Sequence, residues 1–303
     1  MRAFGRALER AMKTALLIAA LLTGFPVAAQ EAHPGEDETF SDVRPGEIST
    51  DPANLIEGAR RGDVRAINNL GLLWARGIGV DAPNFQEAIR WWKEAAKRGY
   101  SLSMNNLGLL FANGHGVQQS YEEALKWWEM SAEQGDAWAM NSIGDLYENG
   151  HGVTQSHADA LDWYERAADG GDGLGMFNLG NFYENGLGVQ RDLGRARDWY
   201  ERSADKGIAV SMHRLGMMTS EGRGVPADPA EGYAWLSVAG RYFGPEDAQD
   251  AARNQSAMEG LAGRLTAHQS ARAKEIAANL QARIEERRRI RPSGPARPGE
   301  HAT

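Results

Sequence analysis

Residues 139–153, Ala139-Met140-Asn141-Ser142-Ile143-Gly144-Asp145-Leu146-Tyr147-Glu148-Asn149-Gly150-His151-Gly152-Val153, carry the pattern that decides the fold, because the chain repeats it. The tryptophans set the step: Trp91, Trp127, Trp163, Trp199 and Trp235 stand 36 residues apart. Gly108, Gly144, Gly180 and Gly216 keep the same step, as do Gly99, Gly135, Gly171 and Gly207. Self-similarity at a fixed period of this length means stacked supersecondary units that bury a core only against their neighbours. Five units run from about Asp63 to Gly240, the first with one extra residue near Pro83.

Each unit reads as two helices. The first ends in Leu-Gly-x-x-(aromatic)-x-x-Gly, as in Leu107, Gly108, Phe111, Gly114 and again in Ile143, Gly144, Tyr147, Gly150. A glycine inside a helix costs about 1 kcal/mol against alanine, so Gly108 and its equivalents imply the close approach of a neighbouring helix. Gly114 and its equivalents stand where a left-handed C-terminal cap belongs. The second helix opens on Asn84, Ser120, Ser156, Asp192 and Asp228, side chains that accept from unpaired first-turn N–H groups. Ser120 with Glu123 has the spacing of a capping box, and Pro229 stands at a first helical position. The Trp ladder, with Trp92, Trp128, Tyr164 and Tyr200 beside it, and the ladder Met104, Met140, Met176, Met212 are expected to form the core. Leu55–Gly62 matches only the end of a second helix and reads as a half-unit at the N-terminal end.

The stretch from Ala139 to Val153, continued by Ala160-Leu161-Asp162-Trp163-Tyr164 and Ala167-Ala168, resembles the Sel-one-like repeat family, relatives of tetratricopeptide repeats. The resemblance covers roughly residues 54–240. It implies an all-α fold, a right-handed α/α superhelical solenoid of about five 36-residue two-helix repeats with helical caps, and an adaptor role in assembling protein complexes. The last unit departs from the pattern, with Thr219 for the aromatic and Gly232 for the alanine. Residues 241–290 read as capping helices, with Thr266 as an N-cap, since solenoids must close their exposed ends.

The chain has 303 residues, is 42% hydrophobic and 24% charged, and is globular in composition. The absence of cysteine excludes a disulfide framework, a cysteine metal site, a cysteine nucleophile and a lipid-modified N-terminal cysteine. The formal charge is −8; residues 1–29 and 283–303 carry +3 each, which leaves −14 on residues 30–282. So acidic a body repels phosphates and argues against nucleic acid as a partner. Met12-Lys13-Thr14, the apolar run Ala15–Leu22 and Val27-Ala28-Ala29 read as a signal peptide, residues 1–29, cut after Ala29. Met12 would itself open a compact signal, which leaves the true start at Met1 or Met12. The apolar run is short of the roughly 20 residues that span a bilayer, so no integral membrane span is expected after cleavage. The expected compartment is the periplasm. Residues 30–50 read as an acidic disordered linker, 51–240 as the solenoid and 291–303 as a disordered Pro/Gly/Arg tail.

Candidate chemistry is thin. His115 and His151 fill one loop slot, but no third ligand completes a metal set, and no metal or cofactor is expected. Gly-x-Gly-Val follows a helix and lacks the Gly-Lys-Ser/Thr of a phosphate loop. Ser203-Ala204-Asp205-Lys206 has the Ser-x-x-Lys spacing of penicillin-binding enzymes without their other motifs, and Ser203 fills a small, core-facing slot. No catalytic residue is assigned, and the chain is read as no enzyme.

Asparagine forms the more informative ladder. Asn69, Asn106, Asn178 and Arg214 stand just before Leu-Gly on the first helices, which line the concave face of tetratricopeptide-type solenoids. There an amide can grip the backbone of an extended peptide. The alternative is that these side chains bond their own neighbours across repeats. The expected function is an exported, non-catalytic interaction scaffold of the bacterial cell envelope that holds a protein or peptide, with a preference for a basic one. The other readings are an envelope enzyme acting on peptidoglycan or β-lactams, and a regulator tethered by an uncleaved signal.

Overall fold

The computed structural model describes residues 52–79 and 82–290. The expected signal peptide, acidic linker and C-terminal tail lie outside the described residues. Every regular element among the described residues is helical. None of these helices is long and apolar enough to cross a membrane. The chain divides into two compact units after Gln134.

In the first unit, α1 (Pro52–Arg60) is the expected half-repeat, with Leu55 and Ile56 buried. It packs on α2 (Val64–Arg76), which pairs with α3 (Phe85–Ala96); α4 (Ser101–Asn113) then pairs with α5 (Tyr121–Ala132). The second unit holds three such pairs. They are α6 (Ala137–Asn149) with α7 (His157–Asp169), α8 (Gly173–Asn185) with α9 (Leu193–Ala204), and α10 (Ala209–Glu221) with α11 (Pro229–Ala239). Two more helices follow, α12 (Ala248–Ala262) and α13 (Ala267–Ile290), both packed on α11. Thr266 caps α13 by accepting from the Gln269 N–H.

The helix ends follow local rules. Asn84, Ser120, Ser156, Asp192 and Asp228 each accept the N–H three residues on. Gly77, Gly114, Gly150, Gly186 and Gly222 close the first helices at φ between 67° and 73°, a region costly for any side chain. The capping box at Ser120 is only half made. Glu123 pairs with Lys126 instead, because the Ser120 N–H already donates to Phe111 O at 2.9 Å. That bond recurs in every repeat: Asn84, Ser156, Asp192 and Asp228 donate to the carbonyls of Trp74, Tyr147, Tyr183 and Thr219. It clasps the start of each second helix to the end of its own first helix.

The terminal helix is held by charge. Arg272 pairs with Asp228 at 2.7 Å, and Arg283 and Arg287 both reach Asp205 at the end of α9. The Arg288 guanidinium lies over the Tyr242 ring, 5.5 Å from its centroid. The basic end of α13 is therefore engaged with the last repeats.

Candidate functional site

The glycines inside the first helices do mark a close approach, and the approaching group is an aromatic ring. A Cβ added to Gly108 would stand 2.3–2.7 Å from three atoms of the Trp128 ring. Gly71 meets Trp92, Gly144 meets Tyr164 and Gly180 meets Tyr200 in the same way. In the last repeat the partner is Leu236, and the helices cross closely enough for a Gly232 Cβ to touch Gly216 O at 2.8 Å. The deeply buried ring is thus the residue after each of the first four ladder tryptophans. Trp91, Trp127, Trp163 and Trp199 are only half-buried, with Arg166 lying 3.8 Å over Trp163 and Arg202 lying 4.3 Å over Trp199. Trp235 alone of that ladder is fully enclosed. The methionine ladder is buried throughout, as expected.

The buried rings need hydrogen-bond partners, and these change from repeat to repeat. Trp92 and Trp128 donate Nε1–H to the carbonyls of Asn68 and Asn105, at 3.1 and 3.4 Å. Tyr164 extends its hydroxyl to Asp145 at 2.7 Å and Glu148 at 2.5 Å. Tyr200 does the same to Asn181 at 2.7 Å and Glu184 at 2.6 Å. Burial, reinforced by these carboxylates, pushes both phenols well above their ordinary range, so they stay protonated donors. Leu109 and Ala112 stand where the tyrosine repeats have Asp145 and Glu148, or Asn181 and Glu184. The switch from Trp to Tyr and the switch from apolar to polar occur together, with a glutamate at the second position in both tyrosine repeats.

The asparagine ladder sits on seams between adjacent first helices. In the first unit Asn106 is 1% and Asn69 is 7% exposed. Asn68 Oδ1 accepts from Asn106 Nδ2 at 3.3 Å and from Ser103 Oγ at 2.8 Å, while its Nδ2 donates to Asn69 at 3.2 Å. In the second unit Asn178 is half-buried and donates to Asn141 at 3.0 Å and Asp145 at 3.3 Å. Arg214 is exposed, because Phe177 stands where Asn141 accepts and has nothing to offer. The seam resumes at the cap, where His213 Nδ1 lies 3.1 Å from Oδ1 of the buried Asn254, whose Nδ2 donates to Leu236 O. The four expected peptide contacts are therefore unlike one another: Asn106 ties its helix to the preceding first helix through Asn68, Asn69 is buried and accepts from Asn68 on its own helix, Asn178 is half-buried and bonds across to Asn141, and Arg214 is exposed.

The remaining candidates are structural. Ser203 is wholly buried, donates to Gly173 O at 2.7 Å and accepts from Ser211 at 2.6 Å. His115 stacks on Phe85 with centroids 5.2 Å apart. Among the described residues no group of three His, Asp or Glu side chains is placed to hold a metal ion.

Asp172, the N-cap of α8, escaped sequence reasoning with Asp63 and Asp136, although all three follow a turn glycine. Burial pushes its carboxyl up to about 6, helped by the Asp136 charge and opposed by N–H donors and Lys206. The folded state therefore keeps a proton that the unfolded chain loses near pH 4, so stability falls as pH rises from about 4 to 6. Asp172→Asn retains a capping acceptor and removes the buried charge. It is expected to add about 1–3 kcal/mol at pH 7.5 and to flatten that slope, measured by urea unfolding at pH 4.5 and 7.5.

Comparison with known proteins gives one family. The family model described as Sel1 repeat matches residues 64–100, 101–136, 139–172, 173–208 and 209–241. A search of the curated proteins finds no match. Among solved structures, a Sel1 repeat protein from Oxalobacter formigenes is 30% identical, covering 65% of this chain and 81% of that one, with a TM-score of 0.57. A protective antigen of uropathogenic Escherichia coli strains, displaying an SLR fold, is 22% identical over 81% of this chain and 60% of that one, with a TM-score of 0.46. An immunity protein from Pseudomonas aeruginosa is 18% identical over 95% of this chain and 90% of its own, with a TM-score of 0.44.

Proposed function

The chain belongs to the Sel1 repeat family, and from that premise we propose that it is an exported, non-catalytic scaffold of the bacterial cell envelope, binding a protein or extended peptide along its first helices. Sel1 repeat proteins act as protein-interaction scaffolds. The observation that carries the reading is that the chemistry repeated along the chain faces inward. Rings, caps and amides close on their own or adjacent repeats, and Ser203, the best nucleophile by spacing, is enclosed between Gly173 and Ser211. What varies from repeat to repeat on the first helices, Arg214 foremost, is what a partner can read.

Export rests on the basic start, apolar core and small residues that end at Ala29. The acidic body favours a basic partner and makes association weaken with salt. The test is a cross-linking pull-down of the mature protein from envelope extract, with mass spectrometry of its N-terminus. The expected result is a mature chain starting at Gln30 and a partner whose recovery falls at least fivefold when Asn178 and Arg214 are both changed to Ala. Full recovery by that variant moves binding off this face, and an intact N-terminus replaces the soluble periplasmic protein by a tethered one.

A further inference from the structure

The terminal helix α13 is long for what it buries. Of its 24 residues Ala273, Ala277 and Ile284 are buried, and two of these are alanines. α11, against which it lies, is 11 residues long and buries seven, Trp235 and Leu236 among them. Hydrophobic stabilisation follows the apolar area removed from water, so α13 brings little of it for its length.

The seat under α13 also fits loosely. A cleft of about 390 Å³ runs between the two helices, lined by Tyr233, Ser237 and Arg241 of α11 and by Ala277, Ala278 and Gln281 of α13. Closely packed helices leave no such gap. Five buried polar atoms along the seat make no hydrogen bond among the described residues: Asp205 Oδ1, Trp235 Nε1, Gln281 Oε1, and Nε and Nη2 of Arg283. Native interiors satisfy nearly all such groups, and each one left over favours a state in which water reaches it.

What holds α13 is charge near its two ends. Arg272 pairs with Asp228 before α11, and Arg283 and Arg287 share Asp205 just past α9. Arg283 Nε stands 3.2 Å from Asp205 Oδ1 as an ion pair, without hydrogen-bond alignment. Arg272 and Arg287 are exposed, so salt reaches these pairs and screens them. Only Gly263-Arg264-Leu265-Thr266 joins α13 to α12, which leaves α13 free to swing as a unit.

From the thin contact, the unsatisfied seat and the charged ends together, we propose that α13 is a releasable strap over the last repeat, latched by its arginines and freed when they are screened. Release bares Trp235. That ring is enclosed now, with the Arg283 guanidinium 5.4 Å from its centroid, and without the strap it becomes half-buried like the other four of its ladder. The strap decides whether this face of α11 is covered or open. The inference concerns the chain alone and goes beyond the binding face proposed above.

The experiment is hydrogen exchange read by mass spectrometry on the full chain at about 0.05 and about 0.5 M NaCl, with radical footprinting of the tryptophans on the same samples. The amides of α13 are expected to exchange about tenfold faster at high salt when referred to those of α8, and oxidation of Trp235 to rise about threefold while Trp92 and Trp128 stay protected. Asp205→Asn, which removes the charge shared by Arg283 and Arg287, should give the fast exchange already at low salt. Ala278→Leu, which fills the cleft, should slow it. If Asp205→Asn fails to fold, the salt response of the wild type decides alone. Exchange in α13 that salt leaves within twofold overturns the strap. So does fast exchange with Trp235 still protected, which would mean that the helix frays in place and does not lift.

Discussion

Trp128→Ala should destabilise the chain by about 3–5 kcal/mol, the range for removing a buried aromatic from a core that cannot fully collapse. Trp127→Ala, one position earlier, should cost less than half as much. Trp128 is 5% exposed, covers Gly108 and donates to Asn105 O, whereas Trp127 is half-buried. Urea unfolding of the two variants checks the order. Native-state hydrogen exchange should show the loss first in α4 and α5, because repeat arrays are held by nearest-neighbour contacts. Equal costs would mean that both rings are core.

Gly108→Ala should destabilise by about 2–4 kcal/mol, although alanine is the better helix former by about 1 kcal/mol. The new methyl would overlap Nε1, Cδ1 and Cε2 of Trp128 at 2.3–2.7 Å, contacts that real Cβ atoms do not make. The ring must move, and its bond to Asn105 O breaks with it. Combining the change with Trp128→Ala should give much less than the sum of the single costs, since the smaller side chain no longer meets the methyl. Additive costs in that double-mutant cycle would show that Gly108 serves something other than the ring.

These two results bear on how much of the molecule was legible in its sequence. Repeat period, helix pairs, caps and left-handed glycines all follow rules that act within a few residues, and they stand where the sequence puts them. The choice between Trp127 and Trp128 does not. Both keep the 36-residue step, and a step of one residue turns about 100° around a helix, so only the opposing glycine decides. A usable signal was present in the exchange of Leu109 and Ala112 for Asp145 and Glu148 in one repeat, and for Asn181 and Glu184 in the next, where Trp becomes Tyr. It links the second aromatic, and not the first, to the facing helix. The asparagines were ambiguous for a related reason: an amide on a first helix serves a neighbouring repeat or a ligand with the same atoms. In the structure Asn106 bonds Asn68 in one unit and Asn178 bonds Asn141 in the other.

The clasp from each second-helix N-cap to its first helix has a consequence for how such a chain can grow. It joins residues nine apart in four repeats, Ser120 to Phe111 for example, and ten apart in the first, Asn84 to Trp74. The same two backbone atoms meet although the intervening segment differs in length. The clasp therefore insulates helix registration from whatever lies between its ends, and chain added inside it is read as ornament by the rest of the molecule. That makes the turn beyond each left-handed glycine the natural place for the lineage, or for an engineer, to graft a recognition peptide without retuning a single packed ring.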